Sequence, residues 1–145
     1  RLLSRGLGDV YKRQDYANNN DLEILAYIRG MAVSGCAPEI MGIGPVLSSQ
    51  KALKRAGVNL EDVDIIEMNE AFAAQSLACV EELGIDMSKL NIHGGAIAMG
   101  HPLGASGARI TGKAASLLKE TGKRYALSTM CVGGGQGCAT VLERA

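Results

Sequence analysis

The chain has 145 residues, of which 47% are hydrophobic and 3% aromatic, and its 15 Lys and Arg residues balance 15 Asp and Glu residues. This length suits one globular domain with a sizeable core. The balanced charge, without interleaved aromatic and basic residues, argues against a nucleic-acid partner. No apolar run in the sequence approaches the roughly twenty residues that span a bilayer, so no membrane span is expected.

Cysteine usage indicates the redox compartment and bears on metal binding. The four cysteines show no paired spacing typical of metal ligands, and no metal site is expected. Their small number and wide separation favour a reduced, intracellular compartment. We therefore predict a cytoplasmic protein, with a mitochondrial or peroxisomal location as the alternative if the source is eukaryotic.

The first fourteen residues differ in character from the rest of the chain. Residues 1–14 are basic and share no hydrophobic period with residues 15–145. We expect them to be a non-native or unstructured leader on a fragment of a longer gene. An Arg-rich transit peptide is the alternative, although Asp9 and the low serine content count against it. The globular domain is expected to occupy residues 15–145.

The first half of that domain shows two strand patterns and two helix patterns. Residues 23–34 alternate and then run apolar, which predicts a strand buried on both faces. Residues 44–57 begin with Gly-Pro and end on glycine, which predicts a helix. Residues 63–68 are β-branched and predict the second strand, and a second helix is predicted over 71–83.

The second half contains a glycine-rich stretch, a helix and a hairpin. Residues 91–107 predict a third, short strand followed by a loop, and a helix is predicted from about residue 104 to Gly122. Residues 124–131 and 138–142 predict strands that are too close in sequence to pair in parallel. This order predicts an α/β domain with a mostly parallel, five-stranded mixed sheet and helices on both faces.

Three polar side chains follow strand ends in this arrangement. Asn69 follows the second strand, His101 lies in the loop after the third, and Cys131 ends the fourth. Ligands of such sheets bind beyond the carboxyl ends of the parallel strands. We therefore expect these three residues to converge on one crevice.

Three motifs carry a resemblance to a known family. NEAFAAQ at 69–75, GGAIAMGHPLGASGARI at 94–110 and CVGGGQG at 131–137 resemble the C-terminal domain of the thiolases, over about residues 21–144. The resemblance implies the order βαβαβαββ. It also implies an acyltransferase that condenses two acyl-CoA molecules, as in the formation of acetoacetyl-CoA from acetyl-CoA, or cleaves a 3-ketoacyl-CoA by thiolysis.

The resemblance also implies roles for individual residues. His101 matches the histidine that activates the nucleophile, and Cys131 matches the acid/base that handles the α-proton. Asn69 matches the residue that holds a water which donates, with His101, to the thioester oxygen. Gly133 matches a backbone N–H donor to the oxyanion of the acyl-enzyme.

Substrate and partners are implied in the same way. Met41, Ala71 and Phe72 match substrate-binding positions along the channel for the pantetheine arm, and no cofactor beyond the coenzyme A thioesters is implied. The family's nucleophilic cysteine lies in an N-terminal domain of similar fold that this sequence does not contain. The isolated chain is therefore expected to be inactive, and the full-length protein to be a homodimer or homotetramer.

Other interpretations of the same residues stay open at this point. Asn69 between a strand and a helix suits an N-cap, and Glu70 suits the start of a helix. Glu67 is expected at a strand edge, and His93 at the surface. Small buried apolar roles are expected for Cys36 and Cys79, and a structural role for Cys138.

Two alternative functions also stay open. A catalytically incompetent relative that binds acyl-CoA or lipid would keep the fold, but the presence of Asn69, His101 and Cys131 weighs against it. A phosphate- or nucleotide-binding module could use the glycine-rich backbone before a helix. The sequence contains neither G-x-G-x-x-G nor a P-loop pattern.

Overall fold

The computed structural model describes residues 14–145, so residues 1–13 of the predicted leader lie outside the described residues. Residues 14–19 are helical. The strands are β1 (Ala26–Gly35), β2 (Ile65–Met68), β3 (Tyr125–Val132) and β4 (Gln136–Arg144). The α-helices are α1 (Gly44–Ala56), α2 (Ala73–Leu83), α3 (Ala96–Met99) and α4 (Ser106–Thr121). Short 3-10 helices occupy Pro38–Ile43, Leu60–Asp62 and Met87–Lys89.

The sheet is mixed, with the strand order β1-β4-β3-β2. Strands β2 and β3 pair in parallel, whereas β4 pairs antiparallel with both β3 and β1. The predicted α/β class and the C-terminal hairpin are confirmed, but the prediction of a mostly parallel sheet is wrong. The tight hairpin places β4 antiparallel beside β3, and β1 pairs with β4 rather than with the open edge of β2, so two of the three strand pairings are antiparallel.

The predicted third strand in the glycine-rich stretch does not form, and the described residues contain four strands rather than five. Only an isolated parallel bridge joins Leu90 to Ile66. The next residue, Asn91, has a positive φ of 45° and turns the chain away from the sheet. Its amide side chain accepts from the Met68 N–H and donates to the Met68 carbonyl, at 2.9 Å each. This side chain therefore satisfies the backbone groups that another strand would have paired.

Strand β1 is buried on one face only, which corrects the prediction that both faces are covered. Gly30, Ala32 and Ser34 are buried beneath α1, and a β carbon at Gly30 would lie 2.5 Å from the Ala52 carbonyl. The alternate residues Met31 and Val33 are 57% and 64% exposed. The outer position of β1 explains this, because α4 covers the other end of the sheet.

Helices cover both faces of the sheet, as predicted. One apolar cluster joins α1 and α2 to the face that carries Ile66 and Leu127. The second joins α4 to the face that carries Ile65 and Ala126. The apolar residues of α4 at helical spacing are all buried: Ile110, Ala114, Leu117 and Leu118. Across residues 14–145, no helix has the length and apolar character needed to cross a membrane.

Candidate active site

The parallel strands β2 and β3 end together at one edge of the sheet. Their register pairs Met68 with Thr129, and the Asn69 N–H extends the ladder by donating to the Thr129 carbonyl at 3.0 Å. Cys131 lies two residues further along β3. The structure thus brings Asn69 and Cys131 to the same end of the sheet, as the sequence predicted.

Helix α4 brings His101 to this end. Its first turn lies beside the end of β3, where Gly107 neighbours Met130. One turn later, the hydroxyls of Thr111 and Ser128 lie 3.1 Å apart, so α4 runs antiparallel to β3. The loop that precedes α4, with His101, is therefore held near the carboxyl ends of β2 and β3.

The His101 ring is half-buried and fixed through one nitrogen. Its Nδ1 lies 2.5 Å from the hydroxyl of Ser106, the first residue of α4. Ser106 is fully buried and can donate to the Pro102 carbonyl at 3.2 Å. Because Nδ1 is occupied, Nε2 is the nitrogen available for chemistry.

Cys131 is 6% exposed at the end of β3. Burial raises the pKa of its thiol above the ordinary value, and the neighbouring Cys36 acts in the same direction. The thiol therefore holds its proton at neutral pH. A buried protonated thiol suits a group that donates or receives a proton better than it suits a standing thiolate nucleophile.

Asn69 is fully buried, and neither its amide oxygen nor its amide nitrogen has a hydrogen-bond partner within residues 14–145. The N-cap interpretation is wrong, because α2 begins at Ala73, after an extended Phe72 that makes no side-chain cap. An unsatisfied buried amide costs about 1–3 kcal/mol. Such a group calls for an explanation, and a bound water or ligand is the usual one.

The other predicted site residues surround the same edge. Gly133 is exposed in the turn between β3 and β4, and the Cys36 N–H donates to the Gly135 carbonyl of that turn at 2.7 Å. The 3-10 helix Pro38–Ile43 follows directly and carries the half-buried Met41.

On the opposite side of the edge, Ala71 and Phe72 follow Asn69. Ala71 is half-buried, and Phe72 is 67% exposed. Both residues precede α2, which begins two residues later than predicted.

Glu70 holds the glycine-rich loop in place, a role that the sequence did not reveal. Its carboxylate accepts from the Asn91 amide at 2.7 Å and from the Ile97 N–H at 2.9 Å. Glu70 thus does help to start a helix, but this helix is α3 rather than α2. The packing leaves no room at Gly95, where a β carbon would overlap the carboxylate. The adjacent glycines Gly94 and Gly95 were the sequence signal that could have indicated this close contact.

Glu67 is buried rather than placed at an open strand edge. Its carboxylate lies 3.0 Å from the Lys113 ammonium, and Lys113 also donates to the Gly94 carbonyl at 2.7 Å. Desolvation raises the pKa of Glu67, although the hydrogen bond from Lys113 opposes that shift. Glu67 therefore belongs to the contact between α4 and the glycine-rich loop.

The remaining candidates have ordinary surroundings. Cys79 is fully buried, as expected, and its thiol donates to the Gly42 carbonyl at 3.4 Å. Cys36 is only half-buried, so the expectation for it is wrong; it is the first residue after β1. His93 is exposed, as predicted. Within the described part of the chain, no group of three or more His, Cys, Asp or Glu residues could hold a metal.

Comparison with known proteins identifies the family. The family model described as "Thiolase, C-terminal domain" matches residues 22–144. The chain belongs to the thiolase family. The resemblance carried by the three motifs is therefore confirmed.

Similar proteins support this assignment. A 3-ketoacyl-CoA thiolase of Vibrio vulnificus is 56% identical over 134 residues, which cover 90% of this chain and 35% of that protein. A 3-ketoacyl-CoA thiolase of Shewanella loihica is 58% identical over 127 residues, which cover 86% of this chain and 33% of that protein. The chain thus spans about a third of the length of these curated relatives.

Solved structures of similar proteins share the fold of this chain. A crystal structure of human mitochondrial 3-ketoacyl-CoA thiolase is similar to this chain, with a TM-score of 0.88 and 50% identity. The match covers 90% of this chain and 33% of the human chain. The same human enzyme in complex with CoA gives a TM-score of 0.87. An acetyl-CoA acetyltransferase of Bacillus anthracis gives 0.87 at 44% identity, with the same coverage.

Proposed function

We propose that the protein to which this thiolase domain belongs is an acyl-CoA C-acyltransferase. It condenses two acyl-CoA molecules into a 3-ketoacyl-CoA and free CoA, or catalyses the reverse thiolysis. The observation that carries the proposal is the grouping of Asn69, His101 and Cys131 at one end of the sheet in a member of this family.

The geometry supports a division of labour among these residues. Nε2 of His101 accepts the proton of a nucleophilic thiol and then donates to the thioester oxygen. The unpartnered amide of Asn69 holds a water that donates to the same oxygen. Cys131 transfers the α-proton, since its buried thiol can be protonated again after each cycle. The Gly133 N–H donates to the oxyanion of the acyl-enzyme.

The proposed substrates are coenzyme A thioesters, with no further cofactor. Met41, Ala71 and Phe72 flank the same edge of the sheet and would line the channel for the pantetheine arm. Two similar proteins support this class: the human mitochondrial 3-ketoacyl-CoA thiolase in complex with CoA, and the Bacillus anthracis acetyl-CoA acetyltransferase. Acetyl-CoA and acetoacetyl-CoA are the proposed pair.

A cytoplasmic location and a homodimeric or homotetrameric state are part of the proposal. The four cysteines are free in the structure, which suits a reducing compartment. The exposed apolar residues of β1 supply a surface for domain or subunit contacts.

The test replaces the matching third of the Vibrio vulnificus relative with residues 15–145, and measures deuterium exchange at the α-carbon of acetyl-CoA in the joined protein. We expect exchange in the joined protein, and a loss of about a hundredfold or more in Cys131→Ala. Cys138→Ala is the matched control, because Cys138 is a half-buried cysteine of the neighbouring strand β4. Unchanged exchange in Cys131→Ala would falsify the acid/base assignment.

The same assay distinguishes the alternative of a catalytically incompetent acyl-CoA-binding relative. That alternative predicts saturable binding of acetyl-CoA without exchange, condensation or thiolysis in the joined protein. A hydrogen-bond donor to the oxyanion is worth about 3 kcal/mol in transition-state stabilisation, so an intact site gives a rate far above that of such a relative.

A further inference from the structure

We infer that Ser106 is a positioning residue that fixes the tautomer of His101, so that Nδ1 carries the proton and Nε2 is free to accept one. The inference deepens the proposed function and rests on it for its catalytic meaning. Its structural content, the protonated Nδ1, can be measured without any activity.

The contact itself is short and shielded. The Ser106 hydroxyl lies 2.5 Å from Nδ1 of His101, and the Ser106 side chain is fully buried. Water therefore does not compete for this hydroxyl, and its only hydrogen must go to a protein acceptor.

Two acceptors are within reach of that hydrogen. The Pro102 carbonyl lies 3.2 Å from the Ser106 oxygen, and Nδ1 is the other possibility. If the hydroxyl donates to Pro102, it accepts from Nδ1–H, and a continuous chain runs from the ring through Ser106 to the Pro102 carbonyl. If it donates to Nδ1, the proton of the neutral ring lies on Nε2.

Only the first arrangement is compatible with a base at Nε2. The proton of the nucleophilic thiol moves to the free lone pair of Nε2, which leaves a thiolate and an imidazolium, and the total charge is unchanged. Throughout this step the Nδ1–H bond to Ser106 stays in place. The positive charge on the ring is then stabilised by the Ser106 oxygen and, through it, by the Pro102 carbonyl.

The local fold keeps this chain of hydrogen bonds rigid. Ser106 is the first residue of α4, and its N–H donates to the Pro102 carbonyl at 2.9 Å. The Ala105 N–H donates to the same oxygen at 2.8 Å. His101 is joined directly to Pro102, so the ring and its partner are held by the same tight turn.

Nuclear magnetic resonance tests the tautomer in the 145-residue chain labelled with ¹⁵N-histidine. The labelled chain carries Met31→Lys and Val33→Lys, which replace exposed apolar residues of β1 that would promote self-association. The chain has two histidines, and His93→Gln removes the exposed one to assign the spectrum. At a pH where the ring is neutral, we expect His101 to show a protonated Nδ1 and an unprotonated Nε2. A spectrum of this chain, in which Ser106 and His101 are unchanged, that shows the proton on Nε2 overturns the inference, whatever the behaviour of any Ser106 variant.

Substitutions separate positioning from packing. Ser106→Ala should convert the single tautomer into an exchanging mixture, and Ser106→Thr, which keeps the hydroxyl, should retain it. In the joined enzyme, Ser106→Ala should lower kcat about ten- to a hundredfold with KM within about twofold, and Ser106→Thr should restore most of the rate. An unchanged tautomer in Ser106→Ala contradicts the inference. If the joined enzyme proves inactive while the spectra agree, the proposed function fails and the tautomer assignment stands.

Discussion

At the scale of single residues, the contact between α4 and β2 depends on a buried ion pair. Glu67 is 1% exposed, and Lys113 is its only direct ionic contact among residues 14–145. The Arg109 guanidinium is also buried nearby and lowers the pKa of Glu67 through its charge, as does His93, but desolvation outweighs all three cationic groups. The folded protein therefore disfavours the charged form of Glu67 more than the unfolded chain does.

This balance predicts unequal effects of removing the two partners. Lys113→Met leaves a buried carboxylate without its partner and should lower the free energy of unfolding by about 3 kcal/mol at neutral pH. Glu67→Gln removes the charge that is costly to bury, while Lys113 keeps its hydrogen bond to the Gly94 carbonyl. This variant should therefore lose only about 1 kcal/mol in the free energy of unfolding. Urea unfolding of both variants and the wild type measures the difference. Equal losses would show that the pair contributes only packing.

The same pair predicts a pH dependence with a defined sign. Because the pKa of Glu67 is raised in the folded state, folded protein binds more protons than unfolded protein between the ordinary and the raised pKa. Stability relative to Glu67→Gln should therefore fall as pH rises through that window. The excess cost of Lys113→Met should shrink as pH falls, because a protonated Glu67 needs no cation. A cost that grows towards acidic pH contradicts this account.

At the scale of elements, the glycine-rich loop is held by side chains rather than by a strand. Asn91 binds the Met68 backbone and Glu70 binds both Asn91 and the Ile97 N–H. Lys113 binds the Gly94 carbonyl from α4. The loop that leads to His101 is thus held from β2 and from α4 at once.

Gly95 is the position where this packing is tightest. In Gly95→Ala the added carbon would overlap the Glu70 carboxylate, so the hydrogen bond to Ile97 must break or the loop must shift. We expect a loss of about 1–3 kcal/mol in the free energy of unfolding. Gly104→Ala is the matched control, because nothing lies within 4 Å of its added carbon, and it should change stability by less than about 0.5 kcal/mol. Chemical denaturation compares the two variants, and equal stabilities would contradict the role of Glu70 in holding the glycine-rich loop.

Local signals explain which elements the sequence predicts well. Pro45 and Gly57 predict helix α1, and the structure ends it at Gly57 with a φ of 67°. The spacing of its buried residues predicts helix α4. The glycine-rich loop before α3 has no such signals, because its hydrogen bonds come from the side chains of Asn91 and Glu70, which hydrophobic periodicity does not reveal.

In the candidate site, too, local signals predict some features, whereas contacts that depend on how the chain folds are not predicted. Strand ends and motifs point to Asn69, His101 and Cys131, and the structure places all three at one end of the sheet. The contact between Ser106 and His101 was not predicted, because it depends on how the turn before α4 closes. The exposed face of β1 was also missed, since a strand's neighbours are set by the sheet order and not by its own residues.

At the scale of the whole molecule, β1 and α4 leave an open apolar face. Met31 and Val33 point away from α1, and a groove separates them from Ile110 on α4. Thr140 and Met130 also line this groove. A contiguous apolar surface of this kind in a domain that spans about a third of its relatives' length favours association over solubility.

We therefore expect the isolated chain to self-associate and to dissolve poorly. Met31→Lys with Val33→Lys should shift sedimentation velocity profiles towards the monomer with little change in stability, because both side chains are already exposed and lysine also protects an outer strand from pairing. The matched control is Leu77→Lys with Met87→Lys, two residues 59% and 58% exposed that do not line the groove. It adds the same charge and should leave the association in place. A wild-type chain that is monomeric and melts cooperatively contradicts the prediction, and equal dissociation by both lysine pairs would assign the effect to net charge instead of this face.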